Sequence, residues 1–166
     1  MRFVLIKFII LFTLVSCTNI NFLLDERSSS NFLKNKTKFF LSGWDNQTLK
    51  EVFFLKLGEA PKTKFLLAAK ANQKQTKRSV DENQVAKKID YKITINYKLS
   101  DLENKCADIV TSQTSGFSFT PKSSGYNFAS DVLFDNLLEE AILNNLDSFI
   151  DFANSSLRSQ NCLNEN

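Results

Sequence analysis

The chain has no histidine among its 166 residues. Without an imidazole, the Ser-His and Cys-His pairs that activate nucleophiles cannot form, and the usual catalytic zinc ligand sets are excluded. The sequence also has no Cys-x-x-Cys motif and no glycine-rich phosphate loop after a predicted strand. Adjacent carboxylates occur at Glu139-Glu140 and Asp81-Glu82, but nothing in their spacing indicates a catalytic pair. We therefore predict that the protein is not an enzyme and has no catalytic residue, cofactor or metal site.

Glycine and proline are also scarce, with four and two residues respectively. A many-turned barrel uses both residue types at its turns, so this composition favours a few long helices and strands. The sixteen phenylalanines indicate an aromatic-rich core.

The first seventeen residues match the pattern of a bacterial lipoprotein signal. Arg2 and Lys7 supply positive charge, residues 8–15 form an apolar run, and the small residue Ser16 precedes Cys17. The apolar run is shorter than the ~20 residues that a membrane-spanning helix needs. We therefore predict that residues 1–16 are a signal peptide and that Cys17 is the lipidated first residue of the mature chain. An uncleaved apolar anchor with an incidental cysteine is the alternative interpretation.

Cleavage before Cys17 would remove two of the 21 basic residues and none of the 18 acidic ones, which leaves a formal charge of +1. This near balance gives no argument for a nucleic-acid partner. Thr18, rather than an aspartate, follows the cysteine, so nothing indicates retention at the inner membrane. We predict a lipidated N-terminus and flexible tether over residues 17–36, a single α/β domain over residues 37–157 and a disordered tail over residues 158–166.

The first half of this domain gives mixed signals for secondary structure. Residues 38–41 are predicted as a short strand, and a helix capped by Asp45 or Asn46 should end at Leu57, before Gly58. Residues 64–71 are apolar and indicate a strand, with a short helix as the alternative. Residues 72–88 are polar and fit either a long β-ribbon or an exposed loop.

The second half is clearer. Residues 91–99 alternate strictly between apolar and polar side chains, which predicts a strand with one packed face. Residues 107–119 should form the antiparallel return strand. Residues 131–157 have an apolar face at helical spacing, and Ser130 or Asp131 could cap this helix.

Cys106 and Cys162 are the two cysteines that remain after lipidation of Cys17. Either they form a disulfide in the periplasm, or they are two unpaired thiols. The sequence does not give the Cα separation that would decide between these alternatives.

Three segments resemble the family of the LPS-assembly lipoprotein, the small subunit of the outer-membrane lipopolysaccharide translocon, in its alphaproteobacterial form. They are residues 91–102 (YKITINYKLSDL), Ser115-Gly116-Phe117, and Gly125-Tyr126-Asn127-Phe128-Ala129 ahead of the long helix. The resemblance implies an α+β fold in two layers, with a mainly antiparallel sheet of about four strands packed by two helices. Residues 18–24 lack the Gly-Phe-x-Pro-Leu-Tyr segment that often follows the lipidated cysteine in this family.

The resemblance also implies a function in binding and assembly. A family member plugs the lumen of a large outer-membrane β-barrel, helps that barrel to assemble and contacts lipopolysaccharide. We therefore expect a protein held by its lipid at the periplasmic side of the outer membrane, with the barrel subunit and lipopolysaccharide as partners. The main alternative is an auxiliary lipoprotein of an ABC-type or Mce-type lipid transport system, and a third is a purely structural envelope lipoprotein.

Contact with lipid A phosphates would need accessible cations. The polar stretch and its neighbours supply five candidates, which are Lys74, Lys77, Arg78, Lys87 and Lys88. Among these, the Lys77-Arg78 pair is the preferred phosphate contact, because a guanidinium suits paired hydrogen bonds to phosphate oxygens. A solvated loop is the alternative interpretation, since Asp81 and Glu82 partly neutralise the cluster.

Overall fold

The computed structural model describes residues 31–44, 47–80, 86–104, 106–121 and 128–163. Several of the sequence predictions lie outside these residues. They are the signal peptide, the lipidation site Cys17, the helix cap at Asp45 or Asn46, the acidic pair Asp81-Glu82 and the Tyr126-Asn127 motif. The side chains of Ser130 and Asp131, which were predicted to cap the long helix, are also outside the described part of the structure.

Within these ranges the chain forms four strands and two helices. They are, in chain order, β1 (Thr37–Gly43), α1 (Gln47–Leu57), β2 (Phe65–Val80), β3 (Ala86–Asp101), β4 (Ile109–Phe119) and α2 (Phe128–Ser159). The sheet has the order β1-β2-β3-β4, in which β1 is parallel to β2 and the other two pairs are antiparallel. This confirms the predicted α+β fold. No helix in the described ranges is both long and apolar enough to cross a membrane.

The polar stretch after residue 71 is a β-ribbon. β2 and β3 are sixteen residues each and pair from Phe65 opposite Asp101 to Val80 opposite Ala86, with a register shift beyond Lys77. The ribbon interpretation of residues 72–88 is therefore confirmed for the described positions. The helix alternative for residues 64–71 is wrong, because these residues alternate between buried and more exposed positions along β2.

The core lies between one sheet face and the two helices. The alternation predicted for β3 is confirmed, since Ile93, Ile95 and Leu99 are buried, whereas the intervening Asn96 and Lys98 are exposed. Tyr97, on the same face, stacks against Phe53 of α1 and Phe149 of α2, with ring centroids 6.3 and 4.1 Å apart. Aromatic side chains thus join both helices to the middle of the sheet.

Helix α1 follows the sequence prediction closely. Leu49, Val52, Phe53 and Leu57 are buried against the sheet, and Phe54, outside this stripe, is 53% exposed. The helix ends at Leu57, as predicted, and is followed by Gly58, which has φ +69°. A glycine suits this position because residues that have a side chain rarely adopt a positive φ.

Helix α2 extends beyond both predicted ends. Its packed face is confirmed from Leu138 to Leu157, but Leu133, which was predicted on that face, is 53% exposed. Phe134 occupies the packed position instead and makes edge-to-face contacts with Tyr91 and Phe117. The reason is helical spacing: Phe134 lies four residues before Leu138 on the same stripe, whereas Leu133 is offset by one residue.

Both predicted domain boundaries are corrected by the structure. Residues 31–36, assigned to the flexible tether, form a turn in which Leu33 is fully buried and the Asn31 amide donates to the Lys56 carbonyl at 2.9 Å. At the other end, α2 continues through Ser159, and Cys162 is joined to Cys106. These segments are ordered because they bury apolar side chains and form a covalent cross-link, which a polar composition alone does not reveal.

Candidate functional site

One side of the sheet is not covered by the helices, and we call it the open face. Because side chains alternate along a strand, the residues between the buried positions of β2, β3 and β4 point to this side. Its central part consists of Lys70, Asn72 and Lys74 of β2, Lys92, Thr94, Asn96 and Lys98 of β3, and Ser112, Thr114 and Ser118 of β4. The open face therefore offers many hydrogen-bond donors and acceptors and several cations.

Two lysines face each other on the open face. The register places Lys74 of β2 directly opposite Lys92 of β3, and both side chains are exposed. Within the described ranges, neither ammonium forms a salt bridge. Like charges in directly opposed positions destabilise a sheet, so this lysine pair is a position where a bound anion would be favoured.

The Asp90 carboxylate, close to the lysine pair along β3, already has two bonding partners. Asp90 accepts a hydrogen bond from the Ser118 hydroxyl at 2.7 Å and forms an ion pair with Arg78. The hydrogen bond from Ser118 and the Arg78 guanidinium hold the pKa of Asp90 below its usual value. The bonded Asp90 carboxylate does not neutralise the lysine pair by a direct contact.

A second carboxylate lies at the other end of the open face. The Lys98 ammonium is 2.9 Å from an Asp108 oxygen, and hydrogen bonds from Lys98 and Ser100 lower the pKa of the Asp108 carboxyl. Thus Lys98 and Arg78 are engaged by acids, and Lys70, Lys74 and Lys92 remain without a salt bridge to a described residue.

The five cations predicted from the sequence all lie on β2 and β3, in the outer half of the ribbon. Arg78 lies within the register shift between Lys77 and Ser79, and its side chain is paired with Asp90. Arg78 is thus engaged by an acid, and the expected phosphate contact of Lys77 and Arg78 stays a prediction. Lys88 is exposed opposite Ser79, and the Lys87 side chain lies outside the described part of the structure.

Sequence reasoning retained Lys74 but missed Lys70 and Lys92 as its neighbours. The signal was present, because Lys70, Asn72 and Lys74 share the two-residue period of a strand, as do Lys92, Asn96 and Lys98. Combining the two rows requires the register of the β2–β3 ribbon, which depends on how the connection between the strands is made.

A buried polar contact fixes α2 on the other face of the sheet. The Tyr97 hydroxyl donates to Asn145 Oδ1 at 2.8 Å, and Asn145 Nδ2 donates to the Ile93 carbonyl and the Ser115 hydroxyl at 3.5 and 3.3 Å. Both residues are about 1% exposed, and burial raises the pKa of the Tyr97 phenol. The phenol thus remains neutral and serves as a structural donor.

The fold and the open face define a class of small two-layer α+β protein, in which two helices cover one side of a four-stranded sheet and the other side is polar. No family model matches the chain, and no curated protein matches it by sequence.

The solved structures that are similar to the chain include two that align with it over most of their own length. One is a protein of Caulobacter crescentus CB15 described as a lipoprotein, with a TM-score of 0.52 and 13% identity over 75% of this chain and 92% of that one. The other is the rare lipoprotein B of Shewanella oneidensis, with a TM-score of 0.50 and 9% identity over 75% of this chain and 98% of that one. At these identities the similarities show a shared fold.

Proposed function

We propose that the protein is a lipoprotein of the outer membrane that plugs and helps to assemble the β-barrel of the lipopolysaccharide translocon. The observation that carries this proposal is that the domain shares almost the whole fold of two bacterial lipoproteins. The lipoprotein signal ending at Cys17 and the resemblance of residues 91–102 to the LPS-assembly lipoprotein family support the same assignment.

The polar exterior of the domain suits such a position. The lumen of a large outer-membrane barrel is polar, so a protein inside it needs a surface that forms hydrogen bonds. The open face meets this requirement with hydroxyl and amide groups such as Thr94 and Thr114, whose oxygens are 3.1 Å apart. A lipid on Cys17 would hold the domain beside its partner and raise the effective concentration of each for the other.

Lipopolysaccharide is the second proposed partner. Its lipid A phosphates would be drawn to the lysine pair Lys74 and Lys92, with Lys70 on the same face and Lys88 nearer the end of the ribbon. This assignment replaces the contact expected for Lys77 and Arg78, because Arg78 is paired with Asp90.

The function is tested by recovery of the tagged protein from detergent-solubilised outer membranes, followed by mass spectrometry. We expect a large β-barrel subunit in a near one-to-one amount. The Cys17→Ala variant, which cannot be lipidated, should recover much less barrel at the same expression level. Recovery of transporter components would favour an auxiliary lipoprotein of a lipid transport system, and recovery of no barrel would contradict the proposal.

Contact with lipopolysaccharide is tested by the Lys74→Gln/Lys92→Gln variant. Loss of two charge-assisted hydrogen bonds should weaken binding of purified lipopolysaccharide by roughly 10- to 100-fold at fixed ionic strength. Lys34→Gln/Lys62→Gln is the matched control, since it removes the same charge from exposed positions outside the open face. Equal weakening by both variants would show a general charge effect and would contradict a site at the lysine pair.

A further inference from the structure

Strand β1 forms one edge of the sheet in the described part of the chain, and half of its backbone groups point away from β2. The Trp44 N–H donates to the Ala71 carbonyl at 2.8 Å, and the Lys36 carbonyl accepts from the Phe65 N–H at 3.0 Å. The backbone groups of even-numbered residues therefore point towards β2. Because the direction alternates along a strand, the N–H and C=O groups of Phe39 and Leu41 point to the outer edge, where no strand pairs with β1 among the described residues.

A groove runs along this outer edge, between β1 and α1. One part has a volume of about 560 Å³ and is lined by Phe39, Phe40 and Leu41 on the strand side and by Gln47 and Phe54 on the helix side. A second part of about 360 Å³ shares Phe39 and Phe54 and continues towards Gly58 and Glu59. The two parts together follow the length of β1.

The exposed walls of the groove combine two phenylalanines with the charged side chains of Lys50 and Glu51 on α1. Phe40 on β1 is 52% exposed and Phe54 on α1 is 53% exposed. Proteins usually protect a free sheet edge with charge, proline or a covering segment, and an apolar edge is a template for another strand. An unpaired edge beside a helix is also the arrangement in which peptides add to a sheet as an extra strand.

One end of the groove carries positive charge. Lys36 and Lys38 are exposed at the start of β1, and neither forms a salt bridge with a described residue. Lys38 lies over the Phe40 ring, with its ammonium 5.6 Å from the ring centroid. Glu59 is the acidic residue that lines this end. The charge complement of this end is therefore an acidic side chain on the occupant.

We propose that this groove binds an extended segment of a partner protein, which adds to the sheet as a fifth strand beside β1. Backbone hydrogen bonds to Phe39 and Leu41 would supply affinity. Apolar side chains on the two faces of the segment would contact Phe40, which lies on the side of the sheet away from the helices, and Phe54 of α1. An acidic residue would lie beside Lys36 and Lys38. The inference is independent of the proposed function, because it rests on the β1 edge and not on the open face or the lipid anchor.

The test is a selection of random peptides, longer than the seven residues of β1, on the full chain in detergent. We expect enriched peptides to have apolar residues at neighbouring positions, one for each face of the sheet, and an acidic residue near one end. Phe54→Ala should weaken their binding roughly tenfold, since it removes an aromatic contact. Leu55→Ala is the matched control and should have no effect, because Leu55 is 69% exposed on the same helix but does not line the groove.

Pairing through the backbone is tested by methylating alternate amide nitrogens of an enriched peptide in the two possible sets. One set should abolish binding and the other should leave it intact, because only alternate N–H groups face a neighbouring strand. Failure to enrich peptides, insensitivity to Phe54→Ala, or an equal response to both methylated sets would overturn the proposal. A concentration-dependent dimer that Phe54→Ala dissociates would also overturn it, since the occupant would then be a second copy of the chain.

Discussion

Loss of the Cys106–Cys162 disulfide is expected to lower the free energy of unfolding by about 4 kcal/mol, according to the chain-entropy description of cross-links. The two cysteines are 56 residues apart in sequence, and their Cα atoms are 6.4 Å apart. The cross-link joins the segment before β4 to the chain just after α2. Because it closes a long loop, its removal releases much conformational freedom in the unfolded chain and favours unfolding.

This expectation is checked by urea denaturation of the wild type and the Cys106→Ser/Cys162→Ser variant, each with and without dithiothreitol. The wild type should lose stability in the reductant and approach the double variant, which should not respond to it. Amide hydrogen exchange should also accelerate near Leu157, in the last turns of α2. Equal wild-type stability in both conditions would show that the disulfide does not stabilise the fold.

The same disulfide shows where sequence reasoning ended. The spacing of Cys106 and Cys162 allowed a disulfide or two free thiols, because the distance between them depends on how α2 lies against the sheet. The polar, serine-containing chain end likewise favoured a disordered tail. The chain end is held in place by the burial of Leu157 and by the disulfide of Cys162. Both depend on residues that are distant in sequence.

Local patterns were sufficient where one periodicity dominated. The alternation around Ile93 and Ile95 identified β3 and its buried face, and the helical spacing of Leu49 and Val52 identified α1. The ribbon beyond residue 71 was ambiguous because both of its faces are polar there, so that no apolar period distinguishes strand from loop.

The candidate site was predictable in composition but not in arrangement. Lys74 was identified as a candidate cation, but its partner Lys92 became evident only from the register of β2 and β3. The pairing of Arg78 with Asp90 was not predictable, because this contact crosses between strands and a charge in sequence does not reveal which acid it meets.

The buried pair of Tyr97 and Asn145 gives the second large expected effect. Asn145→Leu should destabilise the protein by about 2–3 kcal/mol, because the Tyr97 hydroxyl would remain buried without its acceptor. Tyr97→Phe should cost about 1–2 kcal/mol, since the Asn145 amide oxygen then loses its donor. The measurement is chemical denaturation of each variant against the wild type.

The double variant separates the hydrogen bond from the packing around it. In Tyr97→Phe/Asn145→Leu both polar groups are replaced by apolar ones, so its destabilisation should be smaller than the sum of the two single effects. Asn144→Leu is the matched control, because Asn144 precedes Asn145 on α2 but is exposed, and its replacement should change stability by less than about 0.5 kcal/mol. Additive single effects would show that the contact does not couple α2 to β3. A coupling energy of about 1 kcal/mol or more would show that the contact couples α2 to β3. Because Asn145 also donates to Ile93 and Ser115, one side chain would then hold the helix to two adjacent strands.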